Sequence, residues 1–252
     1  MIEAIRVTKA YQRTVVVDDV SLALPRGGVT SIIGPNGAGK STLLSMISRL
    51  LPMTSGQITV GGLDVTTTPG DVLARKLSIL RQDNAMASRL TVRELVTFGR
   101  YPYSKGRPNS DDQAHIQRAL RYLDLEALAG RFLDELSGGQ RQRAFVAMVL
   151  AQDTEAVLLD EPLNNLDMKH AVAMMRLLRR TADELGKTVV VVLHDINFAS
   201  CYSDRIVAMK DGKVAYQGTP NEIVQPEILY ELYDLDVSVH CIEGRCVAFH
   251  YT

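Results

Sequence analysis

Gly34-Pro35-Asn36-Gly37-Ala38-Gly39-Lys40-Ser41 fits the pattern GxxxxGK[ST], an arrangement suited to holding phosphate. Its glycines let a loop wrap closely enough for successive backbone N–H groups to face phosphate oxygens, and a helix opening at the end of the loop adds positive dipole. Lys40 has the reach to bring an ammonium to the β- and γ-phosphates. The Ser41 hydroxyl is a hard oxygen donor for Mg²⁺, which water and phosphate complete; Thr42, next on the same turn, is counted with the binding set. A glycine turn with an incidental lysine could carry the same letters. Context separates the two readings, and this loop lies between a strand pattern and a helix pattern.

Asp160 and Glu161 end a short apolar run at 156–159. A buried strand that delivers carboxylates at its C-terminal edge places them beside such a loop. Asp160 suits the outer shell of magnesium there, and Glu161 suits a general base or water-orienting group. Elsewhere, two adjacent acids are often only a solvated turn. Ser137-Gly138-Gly139-Gln140 precedes a helical run, offering a hydroxyl and free N–H groups as a second anion site. Alone, Ser-Gly-Gly is a common loop.

These groups need elements to hold them. Residues 29–33 form a β-branched run ending at a glycine, and 41–51 repeat Leu43, Leu44, Ile47 and Leu50 at helical spacing, so strand, loop and helix are expected. The runs 156–159 and 188–193 are continuously apolar, as central parallel strands are. Between them, 171–185 carries Val172, Met175, Leu178 and Leu185 on one stripe, with Gly186 as a stop. Asp211-Gly212, between the runs 206–209 and 214–216, predicts a hairpin and an antiparallel sheet edge. From about 85 to 150 strand signals fade, and 92–98, 113–123 and 140–150 read as helices of an insertion, interrupted by the polar loop 104–110. The class is α/β.

Composition narrows the alternatives. The chain has 252 residues, 46% hydrophobic and 23% charged, which predicts one large domain or two coupled ones with a sizeable core. Lys+Arg 28 against Asp+Glu 29 leaves a formal charge of −1, which argues against a surface built to neutralise nucleic acid. No apolar run approaches the roughly 20 residues a membrane-spanning helix needs. Glu3 and Arg6 interrupt any export-signal core, so a cytoplasmic location is expected. Cys201, Cys241 and Cys246 are odd in number and lack CxxC spacing, which suits reduced thiols better than disulfides or structural zinc.

Taken together, the phosphate loop, the acidic strand end and Leu136 to Gln140 make the chain resemble the ATP-binding subunits of ABC transporters over nearly its full length. The resemblance implies a P-loop NTPase (RecA-like) core with an N-terminal antiparallel β part and an inserted helical subdomain. Its divisions would be 1–84 and 151–220 for the core and β part, 85–150 for the helical part, and 221–252 for a short tail. It implies ATP and Mg²⁺ as cofactors, and a head-to-tail homodimer in which Ser137, Gly138, Gly139 and Gln140 close over the partner's ATP. By the same resemblance Tyr11 stacks on adenine, Gln82 meets Mg²⁺ and the attacking water, His194 is the switch histidine near the γ-phosphate, and Asp167 touches the opposite subunit. Catalysis would fall to Glu161, His194, Gln82 and Lys40, and the metal to Ser41, Gln82 and Asp160.

Leu163-Asn164-Asn165 departs from the small or hydroxyl residues of many relatives. That stretch, with Met168-Lys169-His170 and residues 193–199, looks like the ATPases of bacterial iron–siderophore importers, catecholate and petrobactin systems included. The implied partners are two membrane permeases, docked near 89–93 and 98–103, and indirectly an extracytoplasmic siderophore-binding protein; no nucleic acid is expected. The implied location is peripheral, on the cytoplasmic face of the inner membrane. Haem, vitamin B12 or another metal chelate stays open as cargo. A soluble ABC ATPase acting on DNA or ribosomes, or a small-molecule kinase, would share the phosphate loop.

Overall fold

The computed structural model describes residues 1–82 and 88–249; the expected boundary between 84 and 85 lies outside them. The chain begins with β1 (Ile2–Tyr11), β2 (Thr14–Leu24), β3 (Gly28–Ile33), α1 (Lys40–Ile47), β4 (Ser55–Val60), β5 (Leu63–Asp64), α2 (Gly70–Leu73) and β6 (Leu77–Leu80). A helical stretch follows: α3 (Val92–Phe98), α4 (Tyr101–Ser104), α5 (Ser110–Tyr122) and α6 (Gly138–Ala151). Then come β7 (Ala156–Asp160), α7 (Met168–Leu185), β8 (Thr188–Val192), α8 (Ile196–Tyr202), β9 (Arg205–Lys210) and β10 (Lys213–Gly218). The tail holds α9 (Pro220–Ile223), α10 (Pro226–Tyr233), β11 (Ser238–Ile242) and β12 (Arg245–Phe249).

Two sheets carry the architecture. One is antiparallel, in the order β2-β1-β4-β5; the other runs β10-β9-β3-β8-β7-β6. Within the second, β3, β6, β7, β8 and β9 are mutually parallel, and β10 closes the edge antiparallel through the expected Asp211-Gly212 turn. Every residue of β7 and β8 is buried, because side chains alternate between two covered faces. Leu158, Val190 and Val192 join the antiparallel sheet and α1 in one core. Val157, Leu159, Val189 and Val191 face the other way, into a core shared with α3, α5, α6, α7 and the tail. The helical stretch therefore packs onto the parallel sheet through continuous apolar contact.

Three expectations need correction. The helix expected over 41–51 ends at Ile47, because Pro52 biases its predecessor away from helical angles and Leu50, half exposed, has no packing to hold another turn. The helix expected at 113 starts at Ser110, where Asn109 and Asp112 form a reciprocal capping box that adds a turn. The cysteines are not all reduced: Cys241 and Cys246 face each other across the β11/β12 hairpin and form a disulfide, and Cys201 is free. They stand symmetrically about the turn at Glu243-Gly244, so register brings them together, where a search for CxxC spacing could not find them. Among the described residues, no helix is long and apolar enough to cross a membrane.

The tail is fastened rather than loose. Asn197 on α8 donates to the Ala248 carbonyl at 3.1 Å and accepts from its amide at 2.8 Å. Within the helical stretch, Arg100 is buried and donates through Nε to Asp112 at 2.8 Å and through Nη1 to the Ala151 carbonyl at 3.0 Å. Burial pushes the Asp112 carboxyl up, but the Arg100 hydrogen bond, the Asn109 amide and the guanidinium charge together hold it below the usual range. Removing one member of such a pair strands the other. Arg100→Met should cost about 3–5 kcal/mol of unfolding free energy at neutral pH. A carboxyl depressed in the folded chain stabilises above its unfolded pKa and loses that contribution as pH falls through the folded one. Denaturant unfolding at about pH 7 and about pH 4 checks this: the gap between variant and parent should narrow in acid as Asp112 protonates.

Candidate functional site

The phosphate loop leaves β3 and enters α1, and its path admits no side chain at two points. Gly34 has φ +142, and a Cβ there would stand 2.0 Å from the Met209 carbonyl oxygen; at Gly39, φ +93, it would stand 2.7 Å from that of Val16. The loop is thus pressed against β9 on one side and β2 on the other. Gly39 provides no side-chain cap for α1, so the amides at the helix start remain directed into the loop, as an anion site requires. The buried Lys40 ammonium donates to the carbonyls of Gly34 at 2.8 Å and Pro35 at 2.9 Å. Burial lowers its pKa, against the opposing charges of Glu161 and Asp160.

The ends of β7 and β8 supply the acids and the histidine. Asp160 is buried, and its Oδ1 accepts from the Ser41 hydroxyl at 2.8 Å. Burial raises its pKa and Glu161 adds to the rise, while the Ser41 bond and Lys40 oppose it. Ser41 and Asp160 are hard-oxygen donors side by side, the set Mg²⁺ prefers when substrate and water complete its shell. Among the described residues, no group of three or more His, Cys, Asp or Glu is placed to hold a metal by itself. The donor set therefore fits a metal brought with a phosphate ligand.

Glu161 is the meeting point. It adopts φ +50, uncommon for a side chain of its size. Its Oε1 lies 2.6 Å from His194 Nε2. Its Oε2 accepts from Gln82 Nε2 at 2.8 Å and from Asn164 Nδ2 at 2.6 Å. Three expected residues thus converge with one, Asn164, that the sequence marked only as a departure. The signal was present: an amide three residues beyond a carboxylate at a strand end can turn back to it.

A cavity of about 420 Å³ beside the loop is lined by Tyr11, Ser41, Thr42, Gln82 and Asp160 among others. Its lining does not include residues 137–140. These open α6, where Ser137 and Gln140 cap one another and Gly138 and Gly139 lie near Asn165 and His170. Asp167 caps α7, accepting from the His170 amide at 2.8 Å; that bond, then the His170 ring, holds its carboxyl below the usual range. Tyr233, from the tail, was not anticipated. Its hydroxyl is buried without a hydrogen-bond partner among the described residues. Burial pushes its pKa up to about 12, and the nearby Gly34 amide only partly offsets this.

The chain as a whole is similar to known proteins. The ABC transporter family matches residues 17–164. The chain is 50% identical over 252 residues, all of both proteins, to the petrobactin import ATP-binding protein YclP of Bacillus subtilis (strain 168). It is 53% identical over 239 residues, 95% of this chain and 96% of the relative, to the petrobactin import ATP-binding protein FatE of Bacillus anthracis. A solved dimeric ATP-binding cassette, in a post-hydrolysis state bound to ADP and Pi, is 32% identical with TM-score 0.77, covering 87% of this chain and 99% of that one.

Because the Gly34 backbone touches Met209, Gly34→Ala must displace the loop or bear strain of about 1–3 kcal/mol. Titration with a fluorescent ATP analogue should show affinity reduced by about tenfold or more, which is 1.4 kcal/mol. Unaltered affinity would mean the loop is free to move.

Proposed function

This chain belongs to the ABC transporter family, and from that premise we propose that it is the ATP-hydrolysing subunit that energises import of an iron–siderophore complex through a membrane permease. The observation that carries the hydrolytic part is the convergence of His194, Gln82 and Asn164 on Glu161 beside Lys40, Ser41 and Asp160. The cargo rests on full-length likeness to petrobactin import ATP-binding proteins, since motifs that handle ATP are silent about what is carried.

The residues divide the chemistry as follows. The backbone N–H groups of the loop beyond Pro35 and the Lys40 ammonium hold the β- and γ-phosphates, and Tyr11 stacks on the adenine. Ser41 and Asp160, with Gln82, hold Mg²⁺, which when bound neutralises charge on the phosphates. A carboxylate offers about four lone-pair directions. His194, Gln82 and Asn164 engage three on Glu161, leaving one to accept from a water and aim it at the γ-phosphorus. His194 Nε2 lies 2.6 Å from Glu161 Oε1, close enough for a hydrogen bond that fixes the carboxylate's orientation. The positive φ of Glu161 is the strain expected where geometry is held for function.

The site is completed by a second copy whose Ser137, Gly138, Gly139 and Gln140 cap the phosphates, with Asp167 touching across the seam. The helical part, 85–150, transmits closure to two permease subunits on the cytoplasmic face of the membrane. Phe98 and Tyr101, each more than half exposed, suit that contact, aromatic residues being enriched at interface hot spots.

Glu161→Gln should lower phosphate release by about 10²–10⁴-fold, leave ATP binding intact and accumulate an ATP-bound dimer on size exclusion. Parental turnover would remove Glu161 from its role. Asn164→Ala frees one rotation of the carboxylate and should lower kcat about tenfold, with KM within about threefold, if positioning is its contribution. For the cargo, a deletion strain should lose growth and labelled uptake on one ferric catecholate while growing on other iron sources. Normal growth on every siderophore would discard the iron assignment and leave the ATPase standing.

A further inference from the structure

A cavity of about 490 Å³ lies away from the phosphate loop, in the seam between α5, α6 and α7. Arg143, Lys169, Arg176 and Arg180 line it with a single carboxylate, Asp124. Arg180 is already matched, pairing with Glu184 at 3.2 Å and lying over the Tyr122 ring at 5.0 Å. The other three form no ion pair among the described residues; Arg143 spends one N–H on the Leu123 carbonyl at 3.2 Å. Some other cations of the chain are matched: Arg179 bridges Asp183 and Asp204, and Lys187 meets Asp153. Like charges gathered around a concave space repel one another and lower the cost of admitting an anion. The volume lies within the range of small-molecule sites. Guanidinium forks bind phosphate and carboxylate with two parallel hydrogen bonds.

We propose that this seam is a binding site for a small multiply charged oxyanion, a polyphosphate or a polycarboxylate, and that its occupancy tunes ATP hydrolysis. The route to the active site is short. Gly139 and Leu166 also line the cavity, and Gly139 packs so tightly on His170 that a Cβ there would stand 2.3 Å from the ring. His170 in turn bonds Asp167 through Nδ1 at 2.7 Å. An anion drawing Arg143 on α6 and Lys169 and Arg176 on α7 together would bias the angle between the helical part and the core. The binding claim is independent of the proposed cargo; the effect on turnover rests on the ATPase reading.

Calorimetric titration of the full chain, with its nucleotide site saturated by Mg²⁺ and ADP, tests the binding. Tripolyphosphate and citrate are the two probes, and the tighter one identifies the class. We expect one site per chain with Kd below about 1 mM, equivalent to 4.1 kcal/mol. Arg176→Glu, at an exposed position, should weaken it by about tenfold or more, and Lys169→Glu with Arg176→Glu should remove it, ATP-analogue affinity being unchanged. The anion should change phosphate release at least about twofold in the parent and not in Arg176→Glu, whose basal rate should match the parent's. No heat with either anion, or heat retained in the double variant, overturns the site. Heat lost in Lys40→Ala instead would assign the anion to the phosphate loop and equally overturn it. Binding without any change in turnover would overturn the regulatory half alone and leave the ATPase reading untouched.

Discussion

A lysine ammonium and an aspartate carboxylate that leave bulk water must be held by fixed dipoles or by each other, because a buried lone charge is among the costliest things a fold can contain. Here both sit at the carboxyl edge of a buried parallel sheet. Lys40 is held by two carbonyls of its own loop, and Asp160 by the first hydroxyl of the helix that loop begins. Much else follows from that requirement. The loop must turn where no Cβ fits, the strands must be apolar on both faces to carry charge only at their ends, and the acids and the histidine must arrive on neighbouring strands in register.

The second design element is the placement of the helical part. It shares its apolar cluster with the sheet, so its position relative to the core is set by packing as well as by linkage. Arg100 and Asp112, both buried, satisfy one another there. The seam between α5, α6 and α7 is instead lined by Arg143, Lys169, Arg176 and Arg180.

Legibility from sequence tracked how local each feature is. The loop of residues 34–41, the runs at 156–159 and 188–193 and the turn at 211–212 announce themselves through spacing of a few residues, and the structure places β7 over 156–160 and β8 over 188–192. Gln82 and His194 were named by resemblance, and their distances to Glu161 depend on β6, β7 and β8 lying side by side, which periodicity alone does not say. Asn164 looked like an anomaly because its partner is read only once the chain has turned. The disulfide escaped because cross-strand pairing depends on register about a turn, not on the interval between thiols. Tyr233 was invisible for a similar reason: nothing in the residues near it points to Gly34.

The two-way amide clasp between Asn197 and Ala248 joins positions 51 residues apart in sequence. Since α8 begins two residues after His194, the last hairpin is mechanically a neighbour of the nucleotide chemistry although it is its most distant segment along the chain. Anyone attaching a fluorophore or an affinity handle there would be leaning on the histidine.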